Sequence, residues 1–363
     1  MLLAPLVALA LTAAPAETGR LPPAPRHLFT VAWKKTLVAT EFGDYQVREL
    51  GGAAVDPTGA WVVVGTRDGW LHALHPDGSL GWEFQGEGAF AAVPLIDAGT
   101  VYAGCHDGRL YALELTSGKL RWTYDAREQL GTHPAMVGGL VVVASLQDTV
   151  FAVEAATGAW KWHHRRDLNE GFTIHGAASV RADGGKVFAA YSDGTVAALD
   201  AATGQVGWEQ HVGPSGRYQD VDSLFIADGR LYAAAYAGAV VALDLGTGRT
   251  LWSQPYPAAA RVLADRGAVL ALTGGEVVSL AAGTGKLNWK APLQGAAAGA
   301  LRVAGPWLLA PAHDGGLRFY EAASGRLLSV LDPGSGISAT PAIHGRRVYV
   351  LSNAGNLLAL DLG

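Results

Sequence analysis

The stretch Ala198-Leu199-Asp200-Ala201-Ala202-Thr203-Gly204-Gln205-Val206-Gly207-Trp208 decides the fold, because the chain contains several copies of it. Six glycines are followed four residues later by a tryptophan, and a seventh copy has Ser329 instead. The seven glycines are Gly78, Gly118, Gly158, Gly204, Gly248, Gly285 and Gly325, spaced by 40, 40, 46, 44, 37 and 40 residues. A repeat near forty residues is typical of a four-stranded antiparallel propeller blade.

The strands of one unit can be placed from its turns. In the second unit we predict strand A near residues 91–96, B at 100–105, C at 109–114 and D at 119–124. Asp107-Gly108 predicts a tight hairpin between B and C, with Asp68-Gly69, Asp193-Gly194 and Asp314-Gly315 at matching places. Thr-Gly or Ser-Gly turns C into D, and the tryptophan of strand D is expected to pack between neighbouring blades.

The two ends of the chain predict how the ring closes. Residues 358–363 match residues 241–246 and stop before a strand D, whereas residues 30–34 read as a strand D with its tryptophan and no strand C. Pairing these strands would complete an eighth blade and leave no open edge in the ring. We therefore predict an all-β fold, an eight-bladed β-propeller of four-stranded antiparallel blades closed by an N-terminal strand, over residues 17–363.

Composition narrows the class of protein. The chain has 363 residues, of which half are hydrophobic, and its net charge of −5 makes a nucleic-acid binder an unfavourable interpretation. Residues 1–16, uncharged and rich in Leu and Ala, are typical of a secretory signal peptide. No later segment is long and apolar enough to span a bilayer. We expect an exported protein, periplasmic or secreted.

Two long interruptions of the repeat carry a resemblance. The repeat itself resembles that of pyrroloquinoline-quinone-type propellers, a group that contains enzymes and scaffolds. Arg217-Tyr218-Gln219-Asp220-Val221-Asp222-Ser223 is similar to an Arg-x-x-Asp-Val-Asp-Thr segment of the BamB family, the propeller subunits of the outer-membrane β-barrel assembly machinery. One blade earlier, Gly171-Phe172-Thr173-Ile174-His175-Gly176 stands where that family has Leu-Ser-Leu-Arg-Gly.

The resemblance implies a non-catalytic scaffold without cofactor or metal, acting as a monomer, with peripheral attachment to the outer membrane as an option. In that family the two loops dock on a polypeptide-transport-associated domain of the barrel-inserting subunit. The partner-binding residues that it implies for this chain are Phe172, Ile174, His175, Arg217, Asp220 and Asp222. Two departures stand out: no cysteine near the cleavage site could carry a lipid anchor, and His175 replaces an arginine, which weakens a constant positive charge.

Reasoning from the residues alone leaves alternatives open. Extended backbone places Phe172 and Ile174 on one side, and Asp220 and Asp222 likewise, which favours a docking patch. The same residues could instead fill a blade core and cap turns. His133 and His175 could join the two aspartates at a metal site, and the basic run at residues 163–166 could bind an acidic partner.

Other functions also remain as alternatives. The propeller could bind another envelope protein or a ligand, or be a quinoprotein dehydrogenase. The last would be expected to have an adjacent cysteine pair, and Cys105 is the one cysteine of the chain. No nucleophile elbow or phosphate-binding glycine loop is present, so we predict no catalytic residues.

Overall fold

The computed structural model describes residues 28–39, 48–166, 179–212, 220–236 and 238–363. Within these ranges the chain forms eight four-stranded antiparallel sheets, arranged as the blades of a β-propeller. The predicted fold class is confirmed.

Each blade consists of four strands, which are named A to D in their order across the sheet. Blade 1 contains β2 (Ala53–Val55), β3 (Val62–Gly65), β4 (Trp70–Leu74) and β5 (Leu80–Gln85); blade 2 contains β6 (Leu95–Asp97), β7 (Thr100–Gly104), β8 (Arg109–Glu114) and β9 (Leu120–Asp125); blade 3 contains β10 (Ala135–Val137), β11 (Leu140–Ala144), β12 (Thr149–Glu154) and β13 (Trp160–Arg165). Blade 4 contains β14 (Ser179–Asp183), β15 (Lys186–Ala190), β16 (Thr195–Asp200) and β17 (Val206–His211); blade 5 contains β18 (Val221–Ala227), β19 (Arg230–Ala235), β20 (Ala239–Asp244) and β21 (Thr250–Pro255); blade 6 contains β22 (Arg261–Asp265), β23 (Ala268–Leu272), β24 (Glu276–Ala281) and β25 (Leu287–Pro292). Blade 7 contains β26 (Arg302–Ala304), β27 (Trp307–Ala312), β28 (Gly316–Glu321) and β29 (Leu327–Leu331); blade 8 contains β30 (Ala342–His344), β31 (Arg347–Leu351), β32 (Asn356–Leu362) and, as strand D, β1 (Phe29–Thr36).

Blade 2 shows how closely the turns locate the strands. Strands B, C and D begin and end within one residue of the predicted positions, whereas strand A begins at Leu95 rather than near residue 91. Pro94 immediately precedes it, and proline has no N–H to donate to the ladder. Pro134 and Pro341 precede strand A of blades 3 and 8 in the same way, so these inner strands are short.

The ring closes through the first and last strands of the fold. β1 pairs antiparallel with β32, from Phe29 opposite Leu362 to Thr36 opposite Asn356. Trp33 lies opposite Ala359, just as Trp82 lies opposite Ala73 in blade 1. The composite eighth blade therefore keeps the internal register of the others.

The repeated tryptophans join each blade to the next. The Trp162 indole packs on Gly204, the turn glycine of the following blade, where a Cβ atom would lie 2.6 Å from the ring. Its Nε1–H also donates to the Ala201 carbonyl oxygen at 2.9 Å. The other repeat tryptophans donate the equivalent hydrogen bond to a carbonyl oxygen of the next blade: Trp33 to Pro76, Trp82 to Leu115, Trp122 to Ala155, Trp208 to Leu245, Trp252 to Ala282 and Trp289 to Ala322. The expected packing role is confirmed, and the sequence pattern did not reveal the hydrogen bond.

Blade 7 contains the one copy of the repeat without a tryptophan, and the structure of the next blade explains why. Strands C and D of blade 8 come from opposite ends of the chain, so that blade offers no C–D turn on which an indole could pack. Ser329 lies opposite Phe319, whereas the repeat tryptophans of blades 1 to 5 lie opposite alanine. The large side chain has moved from strand D to strand C, and Phe319 stacks on Phe29 with ring centroids 4.8 Å apart.

The B–C hairpins use one left-handed residue each at the predicted glycines. Gly69, Gly108 and Gly194 have φ between 84° and 90°, and no aspartate before them has positive φ. This matches a three-residue hairpin loop with glycine in the left-handed position. Blade 7 differs from the prediction, because the positive φ falls on Gly316 rather than Gly315, and three residues rather than four separate strands B and C.

Candidate functional site

The two faces of the disc carry different connections. Strands A and C run away from one face, which therefore holds the B–C turns and the connections from strand D to the next strand A. We call this the upper face. The opposite, lower face holds the A–B turns and the C–D turns on which the tryptophans pack. Arg166 and Asp220, the described residues that border the two interrupted segments, lie at the upper face.

A central channel opens on the upper face. Its outer part is a cavity of about 430 Å³ lined by residues of the B–C turns, such as His106 and His313, together with Arg48. Its inner part is a cavity of about 210 Å³, and every blade contributes a lining residue. Both parts share Asp222 and Arg261, so they form one continuous passage.

Three arginines, Arg181, Arg261 and Arg302, line the inner cavity from strands A of blades 4, 6 and 7. We call them the channel arginines. Each is half-buried and donates one Nη1–H to the carbonyl oxygen of the residue before it, at 2.7, 2.7 and 3.0 Å respectively. Burial lowers the pKa of all three, and repulsion by the other two brings that of Arg181 to about 10.

Asp222 lies between two of these arginines in blade order. It is the extra residue of a β-bulge between Val221 and Ser223, a device that redirects side chains. Among the described residues, its buried Oδ2 atom has no hydrogen-bond partner. Burial raises its pKa to about 7, against the opposing effect of the Arg261 charge and with a smaller contribution from Asp220.

His133 lines the same cavity from blade 3. Its Nδ1 contacts the Val93 carbonyl oxygen at 2.7 Å, which assigns the ring proton to Nδ1. The surrounding protein, and then the charge of Arg181, lower its pKa to about 4. The imidazole is therefore neutral at neutral pH.

Polar bonds tie blades 3 and 4 together on the upper face. Arg166 Nε donates to Asp193 and its Nη1 to Glu209, both at 2.7 Å, while the guanidinium carbon lies 5.6 Å from the Tyr191 ring centroid. Asp148, in the B–C turn of blade 3, accepts a hydrogen bond from the Ser192 amide of blade 4 at 3.1 Å. The chain is thus firmly held just before residue 167.

Four of the predicted partner-binding residues, Phe172, Ile174, His175 and Arg217, lie outside the described residues. The other two lie at the base of the second connection. Asp220 is only 5% exposed, and its carbonyl oxygen accepts the Tyr236 N–H at 2.8 Å. Asp222 faces the channel.

The structure also bears on the alternative sites. Among the described residues no group of three or more His, Cys, Asp or Glu side chains could hold a metal ion, and His175 is outside that set. In the basic run, Arg165 pairs with Glu128 at 3.1 Å and His164 bonds the Tyr191 hydroxyl at 2.8 Å. With Arg166 paired too, these charges are compensated within the fold.

Sequence reasoning missed the channel arginines. The available signal was a charged residue on the short strand A of three blades, where a buried inner strand would favour apolar side chains. Nothing in a forty-residue repeat indicates that these positions meet across the ring.

The described part of the chain contains no helix able to cross a membrane.

Comparisons with known proteins agree with this geometry. A family model described as outer membrane protein assembly factor BamB matches residues 30–116, 67–271 and 240–363. The fold is similar to BamB from Moraxella catarrhalis (TM-score 0.79, 22% identity, 92% of this chain and 100% of that chain). It is also similar to the quinohemoprotein alcohol dehydrogenases ADHIIG from Pseudomonas putida HK5 (TM-score 0.75, 15% identity, 93% and 76% coverage) and of Comamonas testosteroni (TM-score 0.74, 15% identity, 92% and 76% coverage).

Among curated proteins, no sequence match was found. The solved structures are less than 25% identical and therefore support the fold alone. The family model, in contrast, covers almost the whole propeller, including both interrupted connections. The chain belongs to the BamB family of PQQ-repeat β-propellers.

Proposed function

We propose that this protein is a non-catalytic exported scaffold that assists outer-membrane β-barrel assembly by docking on the barrel-inserting subunit. The observation that carries the proposal is the BamB family match over nearly the whole propeller. The predicted signal peptide at residues 1–16 fits export to the periplasm, where such a subunit would be met. The protein would act as a monomer.

The proposed docking surface is the upper face at blades 3 to 5. Direct contacts are assigned to Phe172, Ile174, His175 and Arg217, on the two long connections. Apolar anchors flanked by polar groups suit a polypeptide-transport-associated domain that offers a groove and a charged residue. A surface held in place before binding loses less entropy on docking, and the bonds of Arg166 provide such support.

The two aspartates have different parts in this proposal. Because Asp220 is buried and its backbone is bonded to Tyr236, it positions the end of the second connection. Asp222 belongs to the mouth of the channel, so the partner's contact would extend to that mouth.

Co-purification tests the proposal. The tagged protein should retain the barrel-inserting subunit of the same organism, and Phe172→Asp should abolish that association. Asp314→Arg, an exposed change on the upper face of blade 7, is the matched control and should leave it intact. Failure of the wild-type protein to associate, or equal retention by the folded Phe172→Asp variant, would contradict the assignment. Unchanged barrel assembly after deletion would favour a propeller that binds another envelope protein.

A quinoprotein dehydrogenase is the second candidate, on the ground of the shared fold. Cys105 is the one cysteine of the chain and is buried. Its Sγ contacts the Gly88 carbonyl oxygen at 3.0 Å, and burial raises the pKa of the thiol to about 12. Titration with pyrroloquinoline quinone separates the candidates. A saturable absorbance change would support the enzyme, and a flat titration would support the scaffold.

A further inference from the structure

The channel arginines have an unusual hydrogen-bonding state. Each guanidinium carries several N–H donors in a planar fork. Among the described residues, the one hydrogen bond that each donates goes to the carbonyl oxygen of the preceding residue. Within the described residues none of the three forms an ion pair, so most of their donors face the cavity.

The charge of the inner cavity is also unbalanced. Among the described residues, three cationic side chains line it against a single carboxylate, Asp222, which is protonated in part at neutral pH. His133 adds no charge there, because its pKa is low. Arg48, His106 and His313 stand at the outer cavity and add no carboxylate. The net charge of the inner lining is therefore positive by two or three.

Such an arrangement is costly for the protein alone. Like charges that are partly removed from water repel, and each loses hydration that a single backbone hydrogen bond replaces only in part. Guanidinium groups are at the same time the side chains best suited to oxyanions, since they offer paired N–H donors to carboxylate and phosphate oxygens. A bound anion would satisfy the donors and offset the repulsion together.

We propose that the inner channel binds a small multivalent oxyanion, a phosphate or a polycarboxylate, through Arg181, Arg261 and Arg302. The cavity of about 210 Å³ is below the usual range of about 300–1,000 Å³ for drug-sized ligands, which limits the ligand to a small molecule. Arginines from three different blades surround it, so a ligand with several anionic groups fits better than a single carboxylate. Asp222 opposes binding when it is ionised.

Calorimetric titration at pH 8 and constant ionic strength tests this site, with inorganic phosphate and citrate as probes and chloride as the balancing salt. One or both probes should bind saturably to the wild-type protein. Arg302→Gln should weaken that binding by about ten-fold or more, equivalent to about 1.4 kcal/mol. Asp222→Asn should strengthen it, because the one negative charge is removed. Phosphate alone would indicate a phosphoester class of ligand, and citrate alone a polycarboxylate.

The matched control is Arg326→Gln, an exposed arginine of the lower face that pairs with Glu321. It should bind the probes as the wild type does. Melting temperatures provide a second readout: at the same probe concentration, the probe should raise the melting temperature of the wild type more than that of Arg302→Gln. Neither probe binding better than chloride, or equal weakening by Arg326→Gln, would overturn the proposal. Neither outcome depends on whether the partner docks.

Discussion

The contact between Gly204 and Trp162 gives the sharpest test of how the blades are joined. Replacing Gly204 by alanine has two costs. Its φ of +72° is strained for any residue with a Cβ, at about 1–2 kcal/mol. The new Cβ would also lie 2.6 Å from two ring atoms of Trp162, so the indole must move and weaken its bond to Ala201, at a further cost of about 1–3 kcal/mol.

Gly229 provides a matched control for the backbone cost. Its φ of +69° is nearly the same, but a Cβ there would meet nothing within 4 Å. Gly229→Ala should therefore lose about 1–2 kcal/mol of unfolding free energy. Gly204→Ala should lose about 1–3 kcal/mol more, together with a change in tryptophan fluorescence.

Urea denaturation of the wild-type protein and the two variants measures this difference. Hydrogen exchange of the amides in blades 3 and 4 would show whether the loss is concentrated at their junction. Equal destabilisation by the two substitutions would refute the packing argument. It would mean that the glycine is needed only for its backbone conformation.

Four further results are expected. Ser329→Trp should lower the free energy of unfolding by about 1–3 kcal/mol, because Phe319 fills the facing position. Adding Phe319→Ala should recover part of that loss in urea denaturation, and full tolerance of the single change would contradict this explanation. The pKa of Asp222 is higher in the folded state than its ordinary 3.8, so ionisation of this carboxyl destabilises the fold as the pH rises from about 4 to about 7. The melting temperature of Asp222→Asn should therefore fall less between pH 5 and pH 8 than that of the wild type or Asp314→Asn, and equal falls in all three would count against this explanation. Arg166→Ala should lower the free energy of unfolding by about 1–2 kcal/mol. Arg166→Lys should not restore it, because the single ammonium group of lysine cannot pair with Asp193 and Glu209 as a planar guanidinium does, and full rescue by lysine would disprove this geometry. Cys105 should react with iodoacetamide far more slowly in the native protein than in urea, since its thiol stays protonated; equal rates would show that the site opens.

The blade pattern was predictable because each unit repeats its own local chemistry. Gly108 needs a left-handed turn and Trp122 a neighbouring blade, and both requirements can be read within one forty-residue window. Ser329 could be noticed in the sequence but not explained, because its cause is the missing C–D turn of a blade assembled from opposite ends of the chain.

The candidate site was less accessible from the sequence. Arg181, Arg261 and Arg302 are separated by roughly one or two blades in sequence, and only ring closure brings them to one cavity. Asp222 was singled out by a family segment, yet the bulge that turns it toward the channel depends on how the neighbouring Val221 and Ser223 pair with Ala235 and Ala234. Alternation along a strand predicts the face of the sheet to which each side chain points, and a bulge changes that face for the residues that follow it.

Direct binding of the barrel-inserting subunit tests the proposed function most directly. Its purified periplasmic domains should bind the wild-type protein saturably in a calorimetric titration. Phe172→Asp should weaken that binding by about ten-fold or more, while Asp314→Arg, on the far side of the upper face, should bind as the wild type does. No binding by the wild type, or the same affinity for all three proteins, would contradict the scaffold assignment.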